Sequence, residues 1–240
     1  MMNRVLITSG KGGVGKTTLT ANMGAMLSIM GHHVAVVDGD AGLRNLDAAL
    51  GLQERIIYDA KDIVLGHTSV TDGVINHPQF PRLDFIAAPQ DQGYDQGDVV
   101  ALMQKLDGLF DIVLVDSPAG IDDGFAACMA ACNAAIIVTT PDVSSVRDAI
   151  KTRDRLRELG TKRIYLVVNR VRPGMARWGG CMRPEEAGAL LEIPMIGEIK
   201  ESRKMITAGN MGDLTVKGRI GDAIMGIAKN VIENLSIKGS

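Results

Sequence analysis

The sequence is short of aromatic residues, cysteines and net charge. Phe, Trp and Tyr make up 3% of the 240 residues, too few for the stacking surface that binds single-stranded nucleic acid. The three cysteines, Cys128, Cys132 and Cys181, contain no C-x-x-C pair, so neither a disulfide framework nor a zinc site is predicted. A formal net charge of −2 provides no overall attraction to DNA or anionic lipid.

Long hydrophobic runs and a signal peptide are also missing. No apolar run reaches the length of a membrane span, and the first four residues lead directly into a predicted strand. We therefore expect a cytoplasmic protein. The chain is 46% hydrophobic and 22% charged, and no repeat or interdomain linker divides it. We expect residues 1–240 to form a single globular domain.

Short apolar runs alternate with amphipathic segments along most of the chain. The apolar runs predict strands near residues 5–8, 34–38, 83–87, 112–116, 135–139, 164–168 and 195–199. Helices are predicted near 16–30, 99–106, 124–132, 145–159, 184–191 and 221–235, more weakly at 58–65 and 69–75, with a surface loop at 89–98. This alternation predicts a mostly parallel sheet covered by helices on both faces, a three-layer α/β/α fold. Ligands of such folds bind at the C-terminal strand ends.

A glycine-rich segment joins the first predicted strand to the first predicted helix. Residues 9–18 read SGKGGVGKTT, and Gly10, Gly15, Lys16 and Thr17 match the G-x-x-x-x-G-K-[ST] pattern of a phosphate-binding loop, or P-loop. Lys16 is predicted to reach the β- and γ-phosphates, and the Thr17 hydroxyl to ligate Mg²⁺. The predicted nucleotide-contacting residues of the loop are Gly10, Lys11, Gly12, Gly13, Val14, Gly15, Lys16, Thr17 and Thr18.

Acidic residues stand at the ends of two predicted strands. Asp38 and Asp40 flank Gly39 at a predicted strand end, and we expect a division of labour in which one carboxylate faces Mg²⁺ and the other an attacking water. Asp116 ends the apolar strand 112–116, which is the Walker B pattern for holding a magnesium-bound water. Turn or helix N-cap roles would also explain these acids. The P-loop upstream is what favours catalysis.

Lys11 distinguishes this loop from a simple P-loop. The run KGGVGKTT resembles the deviant Walker A motif of the ParA/MinD family of P-loop ATPases. Residues 42–47 (GLRNLD), 116–121 (DSPAGI) and 141–149 (PDVSSVRDA) are similar to the corresponding segments of its cell-division branch, the MinD proteins. The similarity extends over nearly the whole chain.

The resemblance implies an ATPase that binds ATP or ADP with Mg²⁺, dimerises with ATP, and regulates placement of the division site. Lys11 would cross the dimer interface to the partner's phosphates, where a cation in trans can accelerate hydrolysis about 10³–10⁵-fold. Lys16 would serve the phosphates in cis, and Asp40 would orient or activate the attacking water. The implied catalytic residues are Lys11, Lys16 and Asp40. The implied metal-site residues are Thr17, Asp38 and Asp116, with Thr18 at the α-phosphate.

Two further pairs have roles implied by the resemblance. Asn169 and Arg170 stand where the family places a base-binding pair, and an Asn amide can both donate to and accept from adenine; a strand-end turn fits Asn169 equally well. Adenine follows from the resemblance, because the sequence contains no evident acidic motif for reading guanine. Arg147 and Asp148 match the surface that MinC- and MinE-type regulators use, although favourable helix-start charge also explains Asp148.

The chain departs from the family pattern in three places. MinD proteins usually end in a basic amphipathic helix that inserts into the membrane, but the apolar spacing of residues 224–235 predicts a packed helix with little excess positive charge. Membrane contact is therefore disfavoured, and a peripheral location at the inner face of the cell membrane rests on the resemblance alone. Residues 197–202 and 209–214 lack the prolines that the family commonly has.

Three alternatives stay open at this stage. A ParA-type partitioning ATPase would bind nonspecific DNA with a steep salt dependence, which the near-neutral charge disfavours. A flagellar-number regulator belongs to the same superfamily. A carrier related to the nitrogenase iron protein needs interface cysteines soon after Walker B. Cys128 and Cys132 are nearby, but their four-residue spacing indicates a buried helix face.

Overall fold

Eight strands form one sheet in the part of the chain that the computed structural model describes, which is residues 2–41, 44–90, 95–118, 120–177 and 180–237. Their order is β3-β4-β2-β5-β1-β6-β7-β8. The strands are β1 (Asn3–Thr8), β2 (Val34–Asp38), β3 (Ile75–Asn76), β4 (Leu83–Ile86), β5 (Ile112–Asp116), β6 (Ala134–Thr139), β7 (Ile164–Val171) and β8 (Met195–Lys200). Neighbours are parallel except for the antiparallel β3–β4 pair. The predicted fold class is confirmed.

Helices cover both faces of this sheet. They are α1 (Lys16–Ile29), α2 (Leu46–Leu50), α3 (Ala60–Leu65), α4 (Val70–Gly73), α5 (Gln96–Leu106), α6 (Asp123–Ala130), α7 (Val143–Glu158), α8 (Pro173–Arg177), α9 (Pro184–Leu191), α10 (Arg203–Asn210) and α11 (Gly218–Leu235), with a 3-10 turn at Gln53–Arg55. One core lies between the sheet and helices α1 and α11. The other lies beneath α3, α5, α6, α7 and α9. Central strands such as β2 and β5 are buried on both faces, which explains their unbroken apolar runs.

The structure corrects several predicted boundaries. The segment predicted as a helix at 69–75 contains the short helix α4 followed by β3, and α5 begins at Gln96, inside the predicted surface loop 89–98. Helices α2, α8 and α10, of five, five and eight residues, were not predicted. Gly42, Leu43, Ala119, residues 91–94 and residues 238–240 lie outside the described ranges.

The order of the central strands brings distant acids together. Strands β2 and β5 pair in parallel with Asp38 opposite Asp116, and β1 pairs on the other side of β5 with Ile7 opposite Asp116. The loop that follows β1 therefore begins next to both carboxylates, at the C-terminal edge of the sheet. No helix in the described ranges is long and apolar enough to cross a membrane.

Candidate functional site

The P-loop connects β1 to α1 and depends on the backbone conformation of Gly15. Gly15 has a φ of 95°, the left-handed region that favours glycine, and it caps α1. A Cβ at this position would lie 2.3 Å from Asn169 Nδ2. That amide donates a 2.7 Å hydrogen bond to the carbonyl oxygen of Val14. The loop is thus supported from below by the end of β7, with its backbone free to approach phosphates.

Asp116 is held by three side chains of α1. Lys16 Nζ lies 2.9 Å from Asp116 Oδ1, Thr17 Oγ1 donates to Oδ2 at 2.6 Å, and Thr20 Oγ1 donates to Oδ1 at 3.1 Å. The structure therefore brings together Lys16, Thr17 and Asp116, as the motif predicts. Thr20 was missed, because its hydroxyl lies one turn beyond the motif.

Asp38 is fully buried next to Asp116. Its Oδ1 accepts from the backbone N–H of Asp40 at 3.0 Å, and its Oδ2 from that of Leu46 at 3.2 Å. Burial, followed by the neighbouring charge of Asp116, raises the pKa of Asp38 to about 7. The Asp38 carboxyl thus accepts hydrogen bonds from backbone N–H groups at both ends of the segment from Asp40 to Leu46.

These groups fit a magnesium ion. Two neighbouring carboxylates repel each other, and a divalent cation between them and the phosphates would relieve that repulsion. Mg²⁺ is commonly held by one or two carboxylates together with waters and substrate phosphates, and Asp38, Asp116 and the Thr17 hydroxyl supply such oxygen ligands. The described residues include no group of three or more His, Cys, Asp or Glu side chains that could hold a metal ion.

Asp40 lies at the outer side of the same carboxylate group and is partly buried. Burial raises its pKa, the positive charge of Lys16 opposes this, and Asp116 and Asp122 reinforce it. A carboxylate with a raised pKa is a better proton acceptor than an ordinary Asp. Its predicted role at the attacking water stays a prediction.

Lys11 is exposed and contacts helix α7 of its own chain. Its Nζ donates to Ser144 Oγ at 3.0 Å, and Ser144 Oγ donates to Asp142 Oδ1 at 2.8 Å. Asp142 also caps α7 by accepting from the backbone N–H of Ser145 at 2.9 Å. The two P-loop lysines therefore occupy different environments, with Lys16 buried at Asp116 and Lys11 at the surface.

A cavity of about 310 Å³ continues from the P-loop. Its size lies at the small end of ligand pockets, which span about 300–1,000 Å³. Its lining residues are Gly15, Thr17, Thr18, Asn45, Ala48, Ala49, Asn169, Arg170, Lys200, Glu201, Ser202, Met205, Ile206 and Gly209. Asn169 and Arg170 line this cavity, and their base-binding role stays a prediction. The Asn169 amide donates to Val14 and accepts from the Arg170 N–H at 2.9 Å. Neither α2 nor α10, which form two walls of this cavity, was predicted from the sequence.

The remaining predicted residues lie on α7, on α6 and just after α6. Arg147 is exposed, and Asp148 pairs with Lys151 at 3.0 Å. Cys128 is buried and packs with its Sγ 3.9 Å from the Gly39 carbonyl oxygen, and Cys132 packs against the same core. Cys128 lies on the buried face of α6 as predicted, but α6 ends at Ala130, so Cys132 lies beyond the helix and is partly buried. Both thiols pack into the core, which disfavours the cluster-carrier alternative.

Comparisons with known proteins agree with this geometry. Residues 5–216 match the CobQ/CobB/MinD/ParA nucleotide binding domain. The septum site-determining protein MinD of Synechocystis sp. is 40% identical over 216 residues, which is 88% of this chain and 81% of that protein. The MinC:MinD cell division protein complex of Aquifex aeolicus superimposes with a TM-score of 0.90 at 34% identity, covering 96% of each chain. The structure of MinD of Pyrococcus horikoshii complexed with Mg-ADP superimposes with a TM-score of 0.86 at 27% identity, covering 99% of this chain and 98% of that one.

Proposed function

This chain belongs to the CobQ/CobB/MinD/ParA family and is a MinD-like, magnesium-dependent ATPase of division-site placement; we propose that its ATP-bound form is a homodimer in which Lys11 of each subunit completes the partner's active site. The 40% identity to a MinD protein favours this branch over a partitioning or flagellar role. All the strands in the described residues belong to one sheet, which supports a single domain over residues 1–240.

The position of Lys11 carries the proposal. Lys16, five residues further on, is buried beside Asp116 and serves its own P-loop. Lys11 instead lies at the exposed start of α7, where it donates to Ser144. A surface lysine held by one hydrogen bond to a hydroxyl can transfer to a more negative acceptor at low cost. The phosphates of a second subunit facing this surface would be such an acceptor.

Within one subunit, each residue has a defined task. Bound Mg²⁺ supplies positive charge to the β- and γ-phosphates, with Thr17, Asp38 and Asp116 as the residues that would hold it. The Lys16 ammonium exchanges the Asp116 carboxylate for phosphate oxygens, to which it donates hydrogen bonds. The Asp40 carboxylate accepts a hydrogen bond from the attacking water and so orients it.

Mixing two inactive variants tests the sharing of residues between subunits. Lys11→Ala lacks only the trans lysine, and Asp40→Ala lacks only the water-orienting acid. A mixed dimer has one site with both Asp40 and a partner Lys11, so hydrolysis should reappear on mixing, at up to about one quarter of the parental rate per subunit if pairing is random. Mixtures that stay as inactive as the separate variants would contradict the trans assignment, and parental activity of Asp40→Ala alone would contradict its catalytic role.

Sizing the Asp40→Ala variant with ATP and with ADP tests the dimer directly. We expect a dimer with ATP and a monomer with ADP, because hydrolysis is blocked and the γ-phosphate is what Lys11 reaches. Anionic vesicles and duplex DNA are then offered to the ATP dimer. Vesicle capture would support a peripheral membrane location. DNA capture that weakens steeply with salt would support the partitioning alternative.

We also infer that a MinC-type regulator binds the α7 surface at Arg147 and Asp148. The similar Aquifex aeolicus structure is a MinC:MinD complex. In this chain, the Asp148 carbonyl lies close to Gly10 of the P-loop, since a Cβ on Gly10 would be 2.3 Å from it. A partner on α7 is therefore placed next to the nucleotide. Arg147→Glu should abolish regulator binding while ATP hydrolysis is kept; unchanged binding would contradict the assignment.

A further inference from the structure

The wall of the nucleotide cavity contains a carboxylate that the sequence did not reveal. Glu201 follows β8 and lines the cavity together with Asn169 and Arg170. The P-loop residues Gly15, Thr17 and Thr18 form the phosphate end of this cavity. With ATP bound as in the proposed function, on which this inference rests, the nucleoside has to extend from that end into the space between α2, α10 and the C-terminal ends of β7 and β8.

A free carboxylate at this place would favour the wrong base. Ionised Glu only accepts hydrogen bonds. Guanine presents two adjacent donors on its Watson–Crick edge, N1–H and the N2 amino group. Adenine presents only the N6 amino group next to the N1 lone pair, which a carboxylate repels. An unpaired Glu201 would therefore bind guanine better than adenine.

Arg172 occupies both oxygens of this carboxylate. Its Nε donates to Oε2 and its Nη2 to Oε1, which is the bidentate arrangement that gives both strength and direction. The backbone N–H of Glu201 donates to the Val171 carbonyl oxygen at 3.1 Å, so the segment itself is fixed. Hydrogen bonding by Arg172 lowers the pKa of Glu201, with additional favourable charge from Arg170 and Arg203.

The pair also forms a partition between two cavities. Arg170 and Glu201 line the nucleotide cavity, and they line a neighbouring cavity of about 240 Å³ together with Arg172, Thr140 and Asp142. Of these two cavities, Arg172 lines only the neighbouring one. The guanidinium thus holds Glu201 from the side away from the nucleotide.

We propose that Arg172 determines base specificity: by binding both oxygens of Glu201 from outside the nucleotide cavity, it withholds the carboxylate from the base and leaves the cavity selective for adenine. Arg172 does not touch the base in this arrangement. It acts through Glu201, as a positioning residue.

Affinities for fluorescent ATP and GTP analogues test this assignment in the full chain. Arg172→Ala should raise the ratio of GTP to ATP affinity about tenfold, the effect of one hydrogen bond to a charged group. Arg172→Ala combined with Glu201→Ala should return the ratio to the parental value, because the carboxylate is then gone. Arg183→Ala is the matched control, since it removes another exposed arginine near a glutamate, 3.6 Å from Glu186 on α9, outside the nucleotide cavity.

The outcomes separate the inference from the proposed function. An unchanged ratio of GTP to ATP affinity in Arg172→Ala overturns the role of Arg172, and so does a rise in this ratio that persists in the double variant. In both cases the ATPase assignment stands as long as the parental protein binds ATP. Equal loss of both nucleotides in Arg172→Ala also overturns it, because a purely structural role moves both affinities together. Arg172→Gln provides a second variant should the alanine variant fold poorly, with the same direction of change expected. Failure of the parental protein to bind ATP would contradict the proposed function itself.

Discussion

Lys16 and Asp116 form a buried ion pair, with 2.9 Å between Nζ and Oδ1, across 100 positions of the chain. The pair joins the first turn of α1 to the end of β5. Asp38 lies on the neighbouring strand, so Lys16 compensates negative charge that two adjacent strands bring to one place. The lysine thus has a structural task in the nucleotide-free protein besides its predicted task at the phosphates.

Removing the lysine charge should affect stability as well as binding. Lys16→Gln leaves the Asp116 carboxylate buried without its cation, and we expect the free energy of unfolding of the nucleotide-free protein to fall by about 3 kcal/mol. The double variant Lys16→Gln, Asp116→Asn should regain most of this stability but still bind no ATP. Urea titrations and ATP-analogue binding measure the two effects. Equal stability of Lys16→Gln and the parental protein would contradict the structural task.

Two glycines of the P-loop should differ in their tolerance of a methyl group. A Cβ on Gly10 would lie 2.3 Å from the Asp148 carbonyl oxygen, whereas a Cβ on Gly12 meets no atom within 4 Å. Gly10→Ala should therefore push the loop away from α7 and destabilise the nucleotide-free protein by about 1–3 kcal/mol. Gly12→Ala serves as the control and should change stability by less than about 0.5 kcal/mol. Thermal denaturation checks both, and similar melting temperatures for the two variants would argue against the close packing.

Loss of the α7 cap should destabilise the protein in a pH-dependent way. Although partial burial opposes it, hydrogen bonds from Thr140, Ser145 and Ser144 hold the pKa of Asp142 below its ordinary value of 3.8. Asp142→Ala should therefore lower the free energy of unfolding by about 1 kcal/mol at neutral pH. Because the folded-state pKa is lowered, the charged-group contribution is present above pH 3.8 and is lost as the pH falls through the lower folded-state value.

Urea unfolding at neutral pH and at successively lower pH measures this difference. Asp142→Asn keeps a capping oxygen without a titrating charge, and it should lie between the parental protein and Asp142→Ala at neutral pH. If the difference in the free energy of unfolding between Asp142→Ala and the parental protein increased on acidification, its pH dependence would have the opposite sign to the one expected for this cap.

Thiol labelling should distinguish Cys128 and Cys132 from Cys181. Burial, followed by the charge of Asp116, raises the pKa of Cys128 to about 12, and burial raises that of Cys132 well above its ordinary value. Cys132 and Cys181 are both partly exposed, but the thiolate is the reactive species. Iodoacetamide at pH 8 should therefore modify Cys181 and leave Cys128 and Cys132, whose thiols have raised pKa values, intact. Mass spectrometry should find all three modified in urea. Rapid native labelling of Cys128 would show that α6 opens away from β2.

Local sequence was sufficient for the parts of this protein whose structure is decided locally. Apolar runs predicted all the strands except β3, whose two residues carry no pattern. The P-loop was predictable because left-handed glycine, helix dipole and lysine act within ten consecutive residues. The cavity walls formed by α2 and α10 were not predicted. Their position follows from packing rather than from propensity.

The sequence by itself identified the phosphate-binding loop after β1 and predicted that Lys16 is its phosphate-contacting lysine. Only the tertiary structure decided what surrounds that lysine. Strand order places Asp38 beside Asp116, and the turn after β8 brings Glu201 to the cavity and Arg172 to Glu201. The physical reason is that charge–charge and hydrogen-bond energies depend on distance in space, and distances between separate strands are set by the order in which the sheet is assembled.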